Sequence, residues 1–358
     1  MALVCATDYE AHAKLHLSKK TWDFYSAGAR PKQTLRENCA AYERLRLRPR
    51  VLRDVSHVDT EVTVLGQRMA FPIGVSPTAY HGLAHPDREV ATAKAACSLK
   101  TCMTLSLCSN ASMEDVAAAA PDGLRWLQLY ILSDRELTRR MVRRAEAAGF
   151  RALAVTVDQP VIGKRGGMDN FLPPGMGLGN FPYGDDVSST EQMRRQISLV
   201  DGSLTWKDID WLRSVTRLPV IVKGIYTAED AREAVRHGVA AVWVSNHGAR
   251  QLDGVPATIE VLPEVVAAVD GKVEVFVDGG IRYGTDVLKA LALGARAVFL
   301  GRPVLWGLAH SGEEGVRNVL EILRNEFRSA MALAGCSRIS DIEKSLVVHE
   351  RHFRQAHL

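Results

Sequence analysis

The sequence predicts an α/β fold, a closed (β/α)8 TIM barrel with an N-terminal helical segment, and three observations predict it. From Phe71 onward, short β-branched apolar runs alternate with amphipathic helical stretches, the pattern of strands buried on both faces of a parallel sheet. The runs number eight, at residues 71–76, 102–106, 124–130, 152–157, 220–223, 241–245, 273–277 and 297–300. Polar residues recur at their C-terminal ends, where the side chains of such a barrel converge on a catalytic mouth. An open doubly wound sheet would require a reversal of strand order that no feature of the sequence displays.

Ahead of the barrel, residues 8–27 and 34–42 carry helical patterns, and the Val/Thr-rich residues 58–65 suit a hairpin closing the barrel bottom. Residues 1–70 are therefore read as N-terminal helices and a cap, 71–335 as the barrel, and 336–358 as a C-terminal tail of one single domain. Between the strands, residues 87–99, 134–148, 227–237, 258–269 and 284–293 read as amphipathic helices, and 313–333 as a long closing helix. The longest irregular stretch, about 163–202, is rich in Gly, Pro, Asn, Asp and Ser and follows strand 4 directly. Long loops inside compact domains usually serve a site or move, so a mobile active-site loop is expected there. Its Gly175-Met176-Gly177-Leu178-Gly179 lacks the preceding strand and following helix that a nucleotide loop requires.

Composition narrows the function classes. The chain of 358 residues is 47% hydrophobic and 24% charged, as for a globular protein with a large core. Its 45 basic and 41 acidic residues give a net charge of +4 without a basic stripe, which argues against nucleic acid as a partner. Six cysteines without a CxxC pair fit free thiols in a reducing compartment, with neither disulfides nor a metal site. No apolar run reaches a membrane span and no signal-peptide core precedes Asp8 and Glu10. An intracellular protein with no membrane contact is expected. The final Ala356-His357-Leu358 has the form of a relaxed peroxisomal address. It favours a peroxisomal import receptor as partner over a cytoplasmic location.

The polar strand ends carry the chemistry. Strand 2 ends in Ser106, strand 3 carries Gln128 and Tyr130, strand 4 runs into Thr156-Val157-Asp158, and strand 5 ends in Lys223. Strand 6 runs into Ser245-Asn246-His247, and strands 7 and 8 into Asp278-Gly279-Gly280-Ile281-Arg282 and Gly301-Arg302. The last two are glycine-rich turns opening helices, where backbone N–H groups and arginines suit a phosphate. An ammonium at Lys223 is costly in a barrel mouth unless an anion awaits it; a carboxylate partner and a reduced flavin, anionic at N1–C2=O, both meet that need. In the segment from Val244 to Asp253, His247 stands three residues before Arg250. A base and a bidentate carboxylate binder thus come within reach of one small molecule.

Ser245-Asn-His-Gly-Ala-Arg-Gln251 resembles the signature of the FMN-dependent 2-hydroxy-acid oxidase family that includes glycolate oxidase. So do Ser76-Pro-Thr-Ala79, Gln128-Leu-Tyr130, Thr156-Val-Asp158, Val222-Lys-Gly224, Asp278-Gly-Gly-Ile-Arg282 and Leu300-Gly-Arg-Pro303. The resemblance runs nearly end to end. It implies that Pro77, Thr78, Ala79, Ser106, Gln128, Thr156, Lys223, Ser245, Asp278, Gly279, Gly280, Arg282, Gly301 and Arg302 hold FMN. It implies that Tyr130, Asp158, Arg165, His247 and Arg250 act on a 2-hydroxy acid, with O2 as electron acceptor, in a homotetramer. The segments at Leu3-Val4-Cys5, Ala11-His12-Ala13 and Leu305-Trp-Gly-Leu308 look most like the long-chain peroxisomal branch of the family, which is tied to fatty acid metabolism.

Departures from the glycolate oxidases bear on the substrate. Phe24 replaces a tyrosine that touches the substrate carboxylate, removing a hydrogen bond of about 1 kcal/mol. Cys108 beside Leu107 replaces a bulky tryptophan, which is expected to make the pocket lined by Phe24, Leu107 and Cys108 wider and more apolar. Both changes favour longer aliphatic or aromatic acids, since each buried CH2 returns about 0.8 kcal/mol. The loop after Arg165 looks shorter than in relatives. Two other readings stand beside this one: a phosphate-binding barrel isomerase or dehydrogenase with Cys108 as nucleophile, and an inactive ligand-binding barrel.

Overall fold

The computed structural model describes residues 3–163, 173, 176–183 and 187–355. Its centre is a closed barrel of eight parallel strands: β1 (Ile73–Val75), β2 (Cys102–Ser106), β3 (Leu124–Leu129), β4 (Leu153–Thr156), β5 (Val220–Ile225), β6 (Ala241–Val244), β7 (Glu274–Asp278) and β8 (Ala297–Leu300). Each run named by the sequence contributes one strand, and closure comes from β8 pairing with β1. Alternate residues along a strand face opposite ways. One set, including Trp126, Trp243, Phe276 and Phe299, fills the barrel interior; the other, including Leu105, Val155, Val222 and Val242, meets the surrounding helices. The interior aromatics touch one another, with ring centroids 4.1 Å apart for Trp243–Phe299 and 5.3 Å for Trp126–Phe276. Gly74 makes room for them, since a Cβ there would lie 2.5 Å from the Phe299 ring.

The predicted bottom cap is a hairpin, Val62–Val64 paired antiparallel with Gln67–Met69. Val62, Val64 and Met69 join the same interior cluster. The Leu65 N–H donates to both carboxylate oxygens of Glu274 at 3.0 Å, at the start of β7. Residues expected as a C-terminal tail fold back, and Val347–His349 pairs antiparallel with Leu45–Leu47.

Four local expectations are corrected. The single helix over 8–27 is two, α1 (Ala6–His16) and α2 (Lys19–Ser26), because the Ser18 Oγ accepts the Thr21 N–H and starts a new helix. An unexpected helix opens at Arg302 ahead of the closing one: the run Arg302–Ala334 breaks at Ser311 and Gly312, whose φ/ψ are non-helical, so the closing helix starts where 313–333 places it. The stretch expected as an irregular loop contains the helix Ser189–Ser198, capped by the Ser188 Oγ on the Glu191 N–H. Helices Met113–Ala119 and Trp206–Ser214 were also not anticipated. A third N-terminal helix, α3 (Gln33–Glu43), lies where 34–42 predicts one.

Truncating the fully buried Trp243 to alanine empties the middle of the interior cluster. We expect Trp243→Ala to lower the free energy of urea unfolding by about 3–5 kcal/mol, read as an earlier midpoint with an unchanged slope.

Candidate active site

The strand ends meet at the C-terminal mouth of the barrel around a buried ion pair. Lys223 on β5 and Asp278 on β7 are 4% and 7% exposed, and Nζ lies 3.1 Å from Oδ2. Lys223 Nζ also donates to Ser245 Oγ at 2.7 Å, Ser245 Oγ donates to Asp278 Oδ1 at 2.6 Å, and Ser76 Oγ donates to Asp278 Oδ2 at 3.2 Å. The anion that Lys223 requires is thus already supplied by a carboxylate. Desolvating two charges is tolerable only when such further bonds satisfy them, and removing one partner from a buried pair typically costs about 3–5 kcal/mol.

The turn after β6 carries the histidine. His247, Gly248 and Ala249 have φ of +58°, +64° and +61°, a left-handed run that disfavours the two residues bearing a Cβ by about 1–2 kcal/mol each. Three bonds hold it: the Ala249 N–H donates to the Asn246 carbonyl and to Asn246 Oδ1, each at 2.9 Å, and the Ala249 carbonyl accepts the Ala29 N–H at 2.8 Å. In this conformation His247 Nδ1 lies 2.8 Å from Asp158 Oδ1. A carboxylate accepts only, so Nδ1 carries the proton and Nε2 is left as the basic nitrogen. Asp158 fits because Gly224 bulges out of β5 with φ +112°, where a Cβ would lie 2.7 Å from the Asp158 Cβ. Gln251 Nε2 fastens the same loop, donating to the Asp158 and Val161 carbonyls at 3.0 and 3.1 Å.

Two arginines reach beyond the barrel. Arg250 Nη1 donates to the Phe24 carbonyl at 2.8 Å and its guanidinium lies 5.0 Å from the centre of the Phe24 ring. Arg302 donates from Nε to the Tyr25 carbonyl at 2.8 Å, and from Nη2 to Ala27 at 2.7 Å and Gly248 at 3.0 Å. The end of α2 is therefore part of the site wall. Arg302, expected on a phosphate, directs these donors to backbone carbonyls. Arg282 lies in the wall with Nη1 on the Ile281 carbonyl at 3.0 Å and Nε 3.4 Å from Glu10. Arg165 lies outside the described residues.

One cavity gathers most of the expected positions. Pro77, Thr78 and Ala79 line it after β1, Ser106, Gln128 and Thr156 at the ends of the next strands, and Asp278, Gly279, Gly280 and Gly301 opposite. Phe24, Cys108, Tyr130, His247 and Arg250, the positions expected on the substrate, line it too. The Thr78 Oγ1 sits 2.6 Å from Nε2 of His81, whose pKa burial lowers. Tyr130 OH donates to Gln159 Oε1 at 3.3 Å. Leu107 corrects the expected pocket: it is 0% exposed within the core, because neighbouring residues leaving β2 point to opposite sides. Ser245 and Asp158 are not among the lining residues; Ser245 is bonded to Lys223 and Asp278, and Asp158 to His247. Sequence reading missed Met193, Gln196 and Ile197, which the helix Ser189–Ser198 places in the wall. Their signal was the capping pattern Ser188-x-x-Glu191 ahead of an amphipathic run.

The wall fits FMN. Gly279 and Gly280, with φ of +98° and +82°, and Gly301 present side-chain-free backbone beside Arg282, and the helix Arg302–Ala334 begins at that edge. A helix N-terminus with an arginine suits a phosphate. The polar groups from Thr78 to Lys223 offer donors and acceptors suited to a flat heteroaromatic ring. Comparison with known proteins agrees. The chain is 53% identical to human 2-hydroxyacid oxidase 1, over 96% of each chain. It is 49% identical to human 2-hydroxyacid oxidase 2, over 98% of this chain and 100% of that one. The solved structure of mandelate oxidase with (S)-4-hydroxymandelic acid superposes with a TM-score of 0.89 at 43% identity, covering 95% of this chain and 97% of that one. A model of the FMN-dependent dehydrogenase family matches residues 13–349, and the chain belongs to that family, with FMN as its cofactor.

Proposed function

We propose that the protein oxidises medium- and long-chain aliphatic or aromatic (S)-2-hydroxy acids to 2-oxo acids. The observation that carries this reading is His247, held by Asp158 at 2.8 Å on a wall shared with Arg250 and an apolar side formed by Phe24, Cys108 and Met193. Bound FMN would supply the two-electron acceptor chemistry, with O2 as the final oxidant and hydrogen peroxide as its product. Arg250, with Arg165, holds the carboxylate. Nε2 of His247 accepts a proton from the substrate, and Asp158 stabilises the resulting imidazolium. Tyr130 contacts the hydroxyl. Lys223, already balanced by Asp278, keeps a positive charge beside the site where negative charge arrives.

The identities of 53% and 49% to the two human oxidases lie too close to choose a branch, so the proposal rests on the pocket residues. Phe24 presents a ring and no hydroxyl, and Cys108 takes up little space. Both favour a long substituent over glycolate. A nucleophilic role for Cys108 is disfavoured, because burial pushes its thiol up to about 12. A peroxisomal location, a homotetramer and a link to fatty acid metabolism belong to the same proposal; Ala356-His357-Leu358, the address that would support the first, lies outside the described residues. Among the described residues no helix is long and apolar enough to cross a membrane.

Anaerobic addition of 2-hydroxyoctanoate is expected to bleach the flavin spectrum of the purified protein; a spectrum that stays oxidised would overturn the proposal. His247→Gln should abolish bleaching while FMN remains bound, and retained turnover in that variant would remove His247 from the base role. Along a series of straight-chain acids, kcat/KM should rise up to about fourfold per CH2 until the pocket is full, following about 0.8 kcal/mol per group. Phe24→Tyr should lower KM for glycolate about fivefold, the equivalent of about 1 kcal/mol.

A further inference from the structure

We propose that Asn38, on α3 and outside the barrel, is a positioning residue for the left-handed turn that presents His247 and Arg250; the inference rests on the roles given to those two residues above. Asn38 and Asn246 are 3% and 7% exposed and form a reciprocal amide pair. Asn38 Nδ2 donates to Asn246 Oδ1 at 3.0 Å, and Asn246 Nδ2 donates to Asn38 Oδ1 at 2.7 Å. The same Asn246 Oδ1 accepts the Ala249 N–H at 2.9 Å, so the oxygen that closes the turn is the one that Asn38 orients.

The surroundings make the pair a fixed point. Asp253 accepts the Gln33 and Thr34 N–H groups at 3.0 and 2.9 Å, tying the start of α3 to the chain just beyond the turn. Thr34 Oγ1 donates to the Val255 carbonyl at 2.9 Å and accepts the Gly254 N–H at 3.0 Å. Asn246 Nδ2 also lies 3.3 Å from the Tyr226 hydroxyl, which donates to the Pro256 carbonyl. On its other side, α3 lies against the glycine turn after β7: a Cβ on Gly280 would fall 1.8 Å from the Asn38 carbonyl oxygen. Asn38 thus faces the base-bearing turn with its side chain and the phosphate-type turn with its backbone.

The chemistry calls for an amide. Facing Asn246 in this geometry takes a donor and an acceptor on one planar group. A carboxylate at position 38 would set oxygen against Asn246 Oδ1, and an alkyl group would leave both bonds unmet. Rotation of the Asn246 amide in response would withdraw Oδ1 from the Ala249 N–H and release a turn that two non-glycine residues adopt only under constraint.

The test is a double-mutant cycle on the FMN-loaded enzyme, with Asn38→Ala, Asn246→Ala and the pair. Anaerobic flavin reduction by 2-hydroxyoctanoate is followed in stopped flow, and FMN dissociation by flavin fluorescence. Asn38→Ala is expected to slow reduction at saturating substrate at least tenfold and to leave FMN affinity within threefold, because the backbone facing Gly280 is retained. The double variant should be no slower than the slower single. Reduction within twofold of the parent, multiplying effects, or a matching loss of FMN affinity would each overturn the proposal. Should Asn38→Ala fail to fold, Asn38→Asp, nearly the same size, replaces it with the same expectation. A parent enzyme whose flavin no 2-hydroxy acid reduces would instead defeat the functional reading, and the cycle is then judged on melting temperature, where additive shifts would count against Asn38 and a shared shift for it.

Discussion

The mouth of this barrel is organised by one buried ammonium. Lys223 cannot be kept charged at 4% exposure without compensation, and the compensation draws in β1, β6 and β7 through Ser76, Ser245 and Asp278. Four strand ends are thereby held in register by polar bonds at the point where the aromatic filling of the interior stops. The arrangement also leads directly to the histidine. Ser245 Oγ, already bonded to Lys223 and Asp278, accepts the His247 N–H at 3.2 Å, so the charge network and the strained turn share an atom.

The site is only partly a property of the barrel. Arg250 and Arg302 leave the strand ends and grip the carbonyls at the end of α2, and Ala29 donates to the turn that carries His247. Carbonyls at a helix C-terminus have no partners within the helix and carry partial negative charge, which makes them suitable seats for guanidinium groups. The N-terminal helices therefore act as part of the wall rather than as a detachable cover.

Much of this was legible in the sequence because the signals are local. The eight strands follow from β-branched runs between helical patterns, and the site polar residues from their position at the ends of those runs, since the barrel geometry sends those side chains to a common mouth. What escaped depended on contacts between distant segments. Asn38 reads as an ordinary helical asparagine until Asn246 lies against it. Leu107 and Cys108 are adjacent in sequence, and only the exit geometry of β2 decides which faces the cavity. The Ser18 cap and the Ser189–Ser198 helix were local signals passed over, the first masked by continuous helical periodicity and the second by the Gly/Pro-rich residues around it. That Asp278 stands against Lys223 was not legible, because it depends on the β5–β7 distance.

The hairpin Val62–Val64 with Gln67–Met69 seals the end of the barrel opposite the catalytic residues, behind a column of packed tryptophan and phenylalanine rings. Among the described residues that end is closed, and the cavity lies at the other, with Met193, Gln196 and Ile197 of the Ser189–Ser198 helix on its wall. Under the proposed function a long acyl chain lodged there is at once cargo and stopper: the departing 2-oxo acid and the arriving oxygen meet at the same end of the barrel.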